Sequence, residues 1–267
     1  MISRSLLVAQ ALLVAATGVV CAQSPGSTAP ATPPLRDPAA LAEAARTVLA
    51  QSIYAPEEWI RLAALQAAAG VSDGQLAVAA HGAAGSHDRY ERTMALDIVI
   101  AGDPVGGRAV LLDALESQYR GHRLRALHAL EPMHDPALAE AFTRRLRSDP
   151  DEDLRALAAR ALTRTAAPSA AATLQAALQD SSPMVRAEAV RGLVNLGSPA
   201  VTALVEQRLA TARPERLVEE IRLAGLVPDP ALAAKLAGYL DDVEPQVKMS
   251  AAAAILTIVN ASRTVRR

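Results

Sequence analysis

Histidines are the side chains of this sequence that first suggest a metal site. His81 and His87 lie six residues apart, as do His122 and His128 and then His128 and His134. Two ligands on one helix face need a spacing of three or four. The sequence also lacks the H-E-x-x-H and C-x-x-C motifs of zinc sites. We therefore expect no metal and no cofactor, and structural or incidental roles for the histidines.

The acidic run at residues 149–153, Asp-Pro-Asp-Glu-Asp, is a second candidate for binding a cation. A calcium loop of the EF-hand type needs Gly at its sixth position and Glu at its twelfth. The sequence has Leu154 and Arg160 there. Because the positive end of the helix dipole favours acidic residues, the run predicts the start of a helix rather than a calcium site.

Catalytic motifs are the third possibility, and none is found. The sequence contains no G-x-S-x-G, no Walker-type loop and no dinucleotide-binding fingerprint; Gly106-Gly107 is an isolated pair of glycines. We therefore predict a non-catalytic protein and name no catalytic residue.

Composition limits the elements that could position any site. Of 267 residues, 51% are hydrophobic but only 2% aromatic. Such a chain suits closely packed helices of good helix formers and is poor in residues that favour strands. The net charge of -1 argues against a strongly basic nucleic-acid-binding protein, so we expect no nucleic acid among the partners.

Residues 1–22 have the anatomy of a secretory signal. Arg4 supplies a positive start, Leu6 to Val20 form an apolar run, and Val20-Cys21-Ala22 is a cleavage site of the small-residue type. Cleavage after Ala22 predicts a secreted or periplasmic protein with no membrane insertion. The alternatives are a membrane anchor, for which the run is short, and a lipid anchor on Cys21, which Val20 disfavours. Once cleaved, the chain contains no cysteine.

The mature chain divides further by composition. Residues 23–38 are rich in Pro, Ser, Ala and Thr and predict a flexible tether. Residues 39–260 carry internal repeats, and residues 261–267 are expected to form a C-terminal tail.

A repeat of 30 to 32 residues organises residues 39–260. Each unit has a basic residue followed by small or apolar residues three, six and seven positions later. The basic positions are Arg61, Arg92, Arg123, Arg155, Arg186 and Lys248, with Val218 as the uncharged member of the series. Offsets of three and seven share one side of a helix. Each unit therefore contains one helix with a narrow buried face of small residues.

A second amphipathic stretch precedes each of these helices. The stretches are Ala39–Ala50, Gln75–Ala83, Gly107–Leu115, Ala137–Leu146, Ala170–Leu178, Ala200–Ala210 and Ala231–Leu240. Four helix starts are indicated by Asp or Ser followed by Pro, at Asp103, Asp135, Ser198 and Asp229. We predict an all-α fold, an α-solenoid of about seven antiparallel helix pairs.

The repeats resemble a known family in a few residues. Asp180 with Val185-Arg186, Asp149 with Leu154-Arg155, and Asp242 with Val247-Lys248 resemble the Asp and Val-Arg or Val-Lys signature of HEAT repeats. The short period is similar to the HEAT-like units of phycobilin lyases. This resemblance implies a superhelix whose second helices line the concave surface, and it leaves an enzyme or cofactor carrier like the chromophore lyases as the alternative function.

Structural roles are expected for the residues that build the repeat. We expect Arg123, Arg155 and Arg186 to pair with Asp149 or Asp180. The structural set is Asp149, Arg155, Asp180, Arg186, Asp242 and Lys248.

Polar residues that the repeat does not require form the candidate binding surface on the second helices. They are Arg125, His128, Arg160, Arg164, Glu188, Arg191 and Asn195. Glu188 is one helical turn from Arg191 and could neutralise it. These residues predict a monomeric, extracytoplasmic scaffold that binds a protein partner along its helical groove.

Overall fold

The structure is a computed structural model that describes residues 37–265. The predicted signal, and all but the end of the predicted tether, lie outside these residues. The α-helices are α1 Pro38–Ile53, α2 Glu58–Ala68, α3 Gly74–Ala83, α4 Arg89–Gly102, α5 Arg108–Leu115, α6 Arg120–Leu130, α7 Ala139–Ser148, α8 Glu152–Thr165, α9 Ala170–Ala177, α10 Pro183–Asn195, α11 Val201–Ala210, α12 Pro214–Ala224, α13 Pro230–Leu236 and α14 Pro245–Val265. Short 3-10 helices cover Glu131–Met133, Pro136–Leu138 and Ala237–Tyr239. No strand occurs between residues 37 and 265, which confirms the all-α prediction.

The described residues form two compact units that divide between Ala44 and Ala45, within α1. Within residues 45–265, α3 packs on α4, and the pairing continues regularly to α13 and α14. The second helices, from α2 to α14, contact one another in succession, and α5, α7 and α9 do the same in the first-helix layer. This is the predicted α-solenoid. We number the repeats one to seven, from α1–α2 to α13–α14.

Helix starts follow the sequence signals in part. Asp229 caps α13 by accepting from the backbone N–H of Ala231, and Asp135 caps a 3-10 helix in the same way. Asp103 and Ser198 do not cap helices: each lies in a turn, and α5 and α11 begin several residues later. The prediction of a helix start at these two positions is wrong. Asp103 Oδ1 accepts from the Gly106 N–H within its turn, and the Ser198 carbonyl accepts from the Val201 N–H within the other.

The core consists mainly of Ala and Leu, and the one phenylalanine, Phe142, is buried in it. Small residues bring the helices close together. A Cβ on Gly192 of α10 would lie 2.8 Å from Leu174 of α9 and would clash with Thr163 of α8. Glycine at this position therefore permits close approach of three helices.

Residues 261–265, expected to belong to a C-terminal tail, are helical; residues 266–267 lie outside the described residues. Helix α14 continues through Val265, and Ser262 Oγ donates to the carbonyl of Ile258 at 2.9 Å. No Gly or Pro interrupts residues 245–265 after the initial Pro245, so nothing in the sequence ends the helix earlier.

Candidate functional site

The repeat arginines form a ladder that joins successive repeats. Arg61, Arg123, Arg155 and Arg186 make up what we call the arginine ladder. One nitrogen of each guanidinium donates to the carbonyls five and six residues earlier in its own repeat, as in Arg123 to Ser117 at 3.0 Å. The remaining nitrogens bind a carboxylate of the next repeat.

Two ladder pairs are those that the sequence analysis expects. Arg123 donates to both oxygens of Asp149 at 2.7 and 3.0 Å, and Arg155 binds Asp180 in the same way at 2.8 and 2.9 Å. Burial opposes ionisation of Asp180, but donation from Arg155 and from the Ser182 N–H outweighs it and holds the pKa of Asp180 below its usual value. The side chains of these two ion pairs therefore have structural roles.

The other residues for which structural roles were expected make different contacts from the expected ones. Arg186 is 2% exposed and binds Glu219 rather than an aspartate. Asp242 accepts from the backbone N–H of Glu244. Lys248 is exposed, and its ammonium has no carboxylate partner among residues 37–262. The reason is that Val218 offers Asp242 no cation, while α14 is the last helix described.

The candidate binding surface is largely neutralised within the chain. Arg125 binds Asp97 at 2.7 Å across two second helices. Arg160 donates to both oxygens of Glu131, and Arg164 approaches the same carboxylate at 3.6 Å. This geometry raises the pKa of Arg160, chiefly through the hydrogen bond from Arg160 to Glu131.

Four further residues complete the candidate binding surface. Glu188 and Arg191 form the neighbouring-turn pair that the sequence suggests, at 2.6 Å. Asn195 is exposed, and His128 borders an apolar hollow of about 390 Å³ with Val105 and Met133. Every arginine of this surface therefore has an acidic partner, and the structure brings its members together as a row of ion pairs rather than as a cationic patch.

The ladder is interrupted in the third repeat. The position that holds Asp149 and Asp180 in later repeats is Ser117 here, and Arg92 Nε is buried without a hydrogen-bond partner. His122 fills the space: its Nδ1 is 3.1 Å from Ser117 Oγ and its Nε2 is 2.9 Å from Thr93 Oγ1. Burial lowers the pKa of His122, and the positive charge of Arg92 lowers it further. A neutral imidazole thus replaces a carboxylate.

The second interruption, in the sixth repeat, leaves a polar groove of about 540 Å³. Ala212 and Val218 stand where the ladder needs Asp and Arg. Arg208 enters from α11, donating to Leu178 O at 2.7 Å and to both oxygens of the buried Glu220. The remaining polar lining is Gln175, Gln179, Gln207, Thr211, Arg213 and Arg216.

Aromatic side chains are concentrated at the surface of the first two repeats. Trp59, the only tryptophan, is 72% exposed, and Tyr90 is 68% exposed. Each lies two residues before the basic position of its repeat, so both occupy the first turn of a second helix. Tyr54, 60% exposed, lies beside Gly82. Large exposed aromatic side chains are typical of binding surfaces.

Two other properties concern the part of the chain that the structure describes. Residues 37–265 contain no group of three or more His, Cys, Asp or Glu side chains placed to hold a metal, and none of their helices is both long and apolar enough to cross a membrane. Asp151 accepts from Leu154 N–H at the start of α8, as the acidic run predicts.

Comparison with known proteins supports the repeat assignment. Residues 139–224 match the family model for HEAT repeats. This part of the chain contains HEAT repeats. The matched residues begin with α7 and end with α12, so they include the ladder from Asp149 to Glu219 and the groove of the sixth repeat. No curated protein sequence matches the chain.

Several solved structures have a similar fold but low sequence identity to this chain. An engineered protein is 18% identical, with a TM-score of 0.49 over 80% of this chain and 68% of the other. The complex of CpcE and CpcF of phycocyanin lyase from a Nostoc species is 16% identical, with a TM-score of 0.45 over 82% and 94%. An archaeal HEAT-like repeat protein from Thermococcus onnurineus is 13% identical, with a TM-score of 0.45 over 82% and 97%.

The exposed aromatics and the groove were not among the predicted site residues, although the sequence carries a signal for both. Trp59 and Tyr90 occupy equivalent positions of consecutive repeats, since each lies two residues before the basic position, Arg61 or Arg92. The groove coincides with the one repeat in which the charged position is Val218.

Proposed function

We propose that this chain is an extracytoplasmic, non-catalytic HEAT-repeat scaffold that binds a protein partner. The observation that carries the proposal is the exposure of Trp59 and Tyr90 at equivalent positions of consecutive second helices. Helices in contact lie about 8–10 Å apart, so the two rings can engage one partner surface together.

The small number of aromatic residues, and their exposure, support this proposal. The chain has one Trp, four Tyr and one Phe, and only Phe142 among them is a fully buried core residue in residues 37–262. Burying a large aromatic side chain is strongly favourable. Leaving Trp59 in water forgoes that gain, which a partner surface restores on binding.

Site-specific photo-crosslinking in the native host tests the proposal. A photoreactive amino acid replaces Trp59 or Tyr90, and the control position is Arg144 on α7, whose side chain is 52% exposed. We expect positions 59 and 90 to crosslink to the same protein and position 144 not to. Equal crosslinking from all three positions, or none from 59 and 90, contradicts the proposal.

The single tryptophan supplies a second measurement once that protein is purified. Trp59 fluorescence should shift to shorter wavelength on binding, because the indole leaves water. Replacing Trp59 and Tyr90 together by Ala should weaken binding by about thirtyfold or more, the effect of losing an interface hot spot of about 2 kcal/mol. Replacing Val71, also exposed, is the control and should change little.

The extracytoplasmic part of the proposal rests on residues 1–22. Mass spectrometry of the protein from its native host should give Gln23 as the first residue. An acyl group on Cys21 would instead show the lipid-anchored alternative, and an uncleaved amino terminus would contradict export by this signal.

A further inference from the structure

We propose that the groove of the sixth repeat, with its extension along the fifth and fourth, binds an acidic stretch of polypeptide. The inference deepens the proposed function, because it assigns to the partner a chemical character.

Charge is the first reason. Three guanidinium groups, those of Arg208, Arg213 and Arg216, line the groove beside one carboxylate, that of Glu220. Arg208 already binds Glu220 through two hydrogen bonds, at 2.6 and 3.0 Å. Two positive charges are therefore in excess within the lining.

The freedom of two arginines is the second reason. Arg213 and Arg216 are exposed, and neither has a hydrogen-bond or ion-pair partner for its side chain among residues 37–262. Glu215 lies between them in sequence but does not line the groove. In contrast, every arginine of the candidate surface on the second helices is paired. A guanidinium fork binds a carboxylate through two parallel hydrogen bonds, so Arg213 and Arg216 can each receive one.

The shape of the groove is the third reason and favours an extended ligand. Gln179 lines both this groove and an adjoining hollow of about 220 Å³ that also includes Arg147. Arg147 is exposed and likewise has no carboxylate partner among the described residues. The side-chain amides of Gln175, Gln179 and Gln207 can hydrogen-bond to a peptide backbone, which presents both donors and acceptors.

The length of the ligand follows from the repeat spacing. The lined turns follow α7, α9 and α11. Helices α7 and α9 are in contact, and helices in contact lie about 8–10 Å apart; α11 lies across the groove from α9. Two steps of at least this size cover roughly 16–20 Å or more, the length of about five or six extended residues at ~3.3 Å each, so a ligand that spans the three turns is about a hexapeptide or longer.

Fluorescence anisotropy with labelled hexaglutamate tests the inference, with hexalysine as the probe of opposite charge. The test variant is Arg213→Ala with Arg216→Ala. The matched control is Arg144→Ala with Lys235→Ala, which also removes two charges, from side chains that are 52% and 56% exposed and already paired with carboxylates.

We expect hexaglutamate to bind the unchanged protein and hexalysine not to bind. The test variant should lose about tenfold or more in affinity, since two charge-assisted contacts are removed, and the control should stay within about twofold. Both should keep the thermal midpoint of the unchanged protein within a few degrees. Equal losses in the two variants would show attraction by net charge alone and overturn the inference, as would unchanged affinity in the test variant.

Citrate distinguishes an extended ligand from a small carboxylate. Citrate should compete with hexaglutamate only weakly at equal carboxylate concentration; equal competition would overturn the polypeptide assignment. Crosslinking from position 59 is measured in protein with the unchanged groove. If hexaglutamate fails to bind that protein while position 59 still crosslinks, only the acidic-segment inference falls and the scaffold proposal stands.

Discussion

The fourth and sixth HEAT repeats differ in how they use the same positions. In the fourth, Asp149 and Arg155 are buried or half-buried members of the arginine ladder. In the sixth, the equivalent positions are Ala212 and Val218, and a groove lies beside them. In the fourth repeat, the charged residues of the ladder pair with one another. In the sixth, where the ladder is missing, Arg213 and Arg216 of the groove lining have no carboxylate partner among the described residues.

The largest effect on stability is expected where the arginine ladder is intact. Arg123→Ala leaves the carboxylate of Asp149, whose side chain is 0% exposed, without its main cation. Because an uncompensated buried charge is costly, we expect a loss of about 3–5 kcal/mol in the free energy of unfolding, measured by urea denaturation. The double variant with Asp149→Ala should lose less. A loss below about 1 kcal/mol in the single variant would show that the ladder does not stabilise the fold.

The interruption in the third repeat should make stability depend on pH. Folding lowers the pKa of His122 below its ordinary value of 6.5, so the unfolded chain binds the proton more readily. The stabilising effect of neutral His122 is complete above that value and declines as the pH falls below it. Stability measured between about pH 7.5 and 5 should fall in the unchanged protein and fall less in His122→Asn.

Asp180 does not obscure that measurement. Its lowered pKa places the loss of its stabilising effect below about pH 4, outside the window used for histidine. Identical pH profiles for the two proteins would contradict the role of His122.

Restoring the ladder aspartate of the sixth repeat should reduce the positive charge of the groove. Ala212→Asp places a carboxylate in the groove lining near Arg213 and should weaken hexaglutamate binding by about fivefold, corresponding to ~1 kcal/mol for two charges about 4 Å apart in water. Ala212→Asn, which has the same size without the charge, is the control. Equal effects of Asp and Asn would mean that space, not charge, decides binding there.

The smallest effect is expected on the candidate surface. Arg191 is half-exposed and pairs only with Glu188 on its own helix. Arg191→Ala should change the free energy of unfolding by less than about 0.5 kcal/mol, as exposed ion pairs usually do. A change above 1 kcal/mol in the same urea experiment would show that this row of pairs is part of the structural ladder after all.

Local chemistry allowed much of this architecture to be predicted from the sequence. The basic positions and the offsets of three, six and seven give the second helices, because the period of a helix alone dictates which residues share a face. Asp229-Pro230 predicts a helix start correctly. Asp103-Pro104 does not, since the same dipeptide also suits a turn, and the choice depends on the surrounding packing.

The sequence by itself determined the repeat, its period, the pairing of Arg123 and Arg155 with aspartates, and the repeat that departs from the pattern. Only the tertiary structure decided which charges remain available. In the sequence, nothing distinguishes the arginines that are paired from those that are not. Glu131 neutralises Arg160 and Arg164, and Glu188 neutralises Arg191. Arg213 and Arg216 have no such partner among the described residues. The physical reason is that a charge is cancelled by its neighbours in space, and in a stacked array those neighbours come largely from a different repeat.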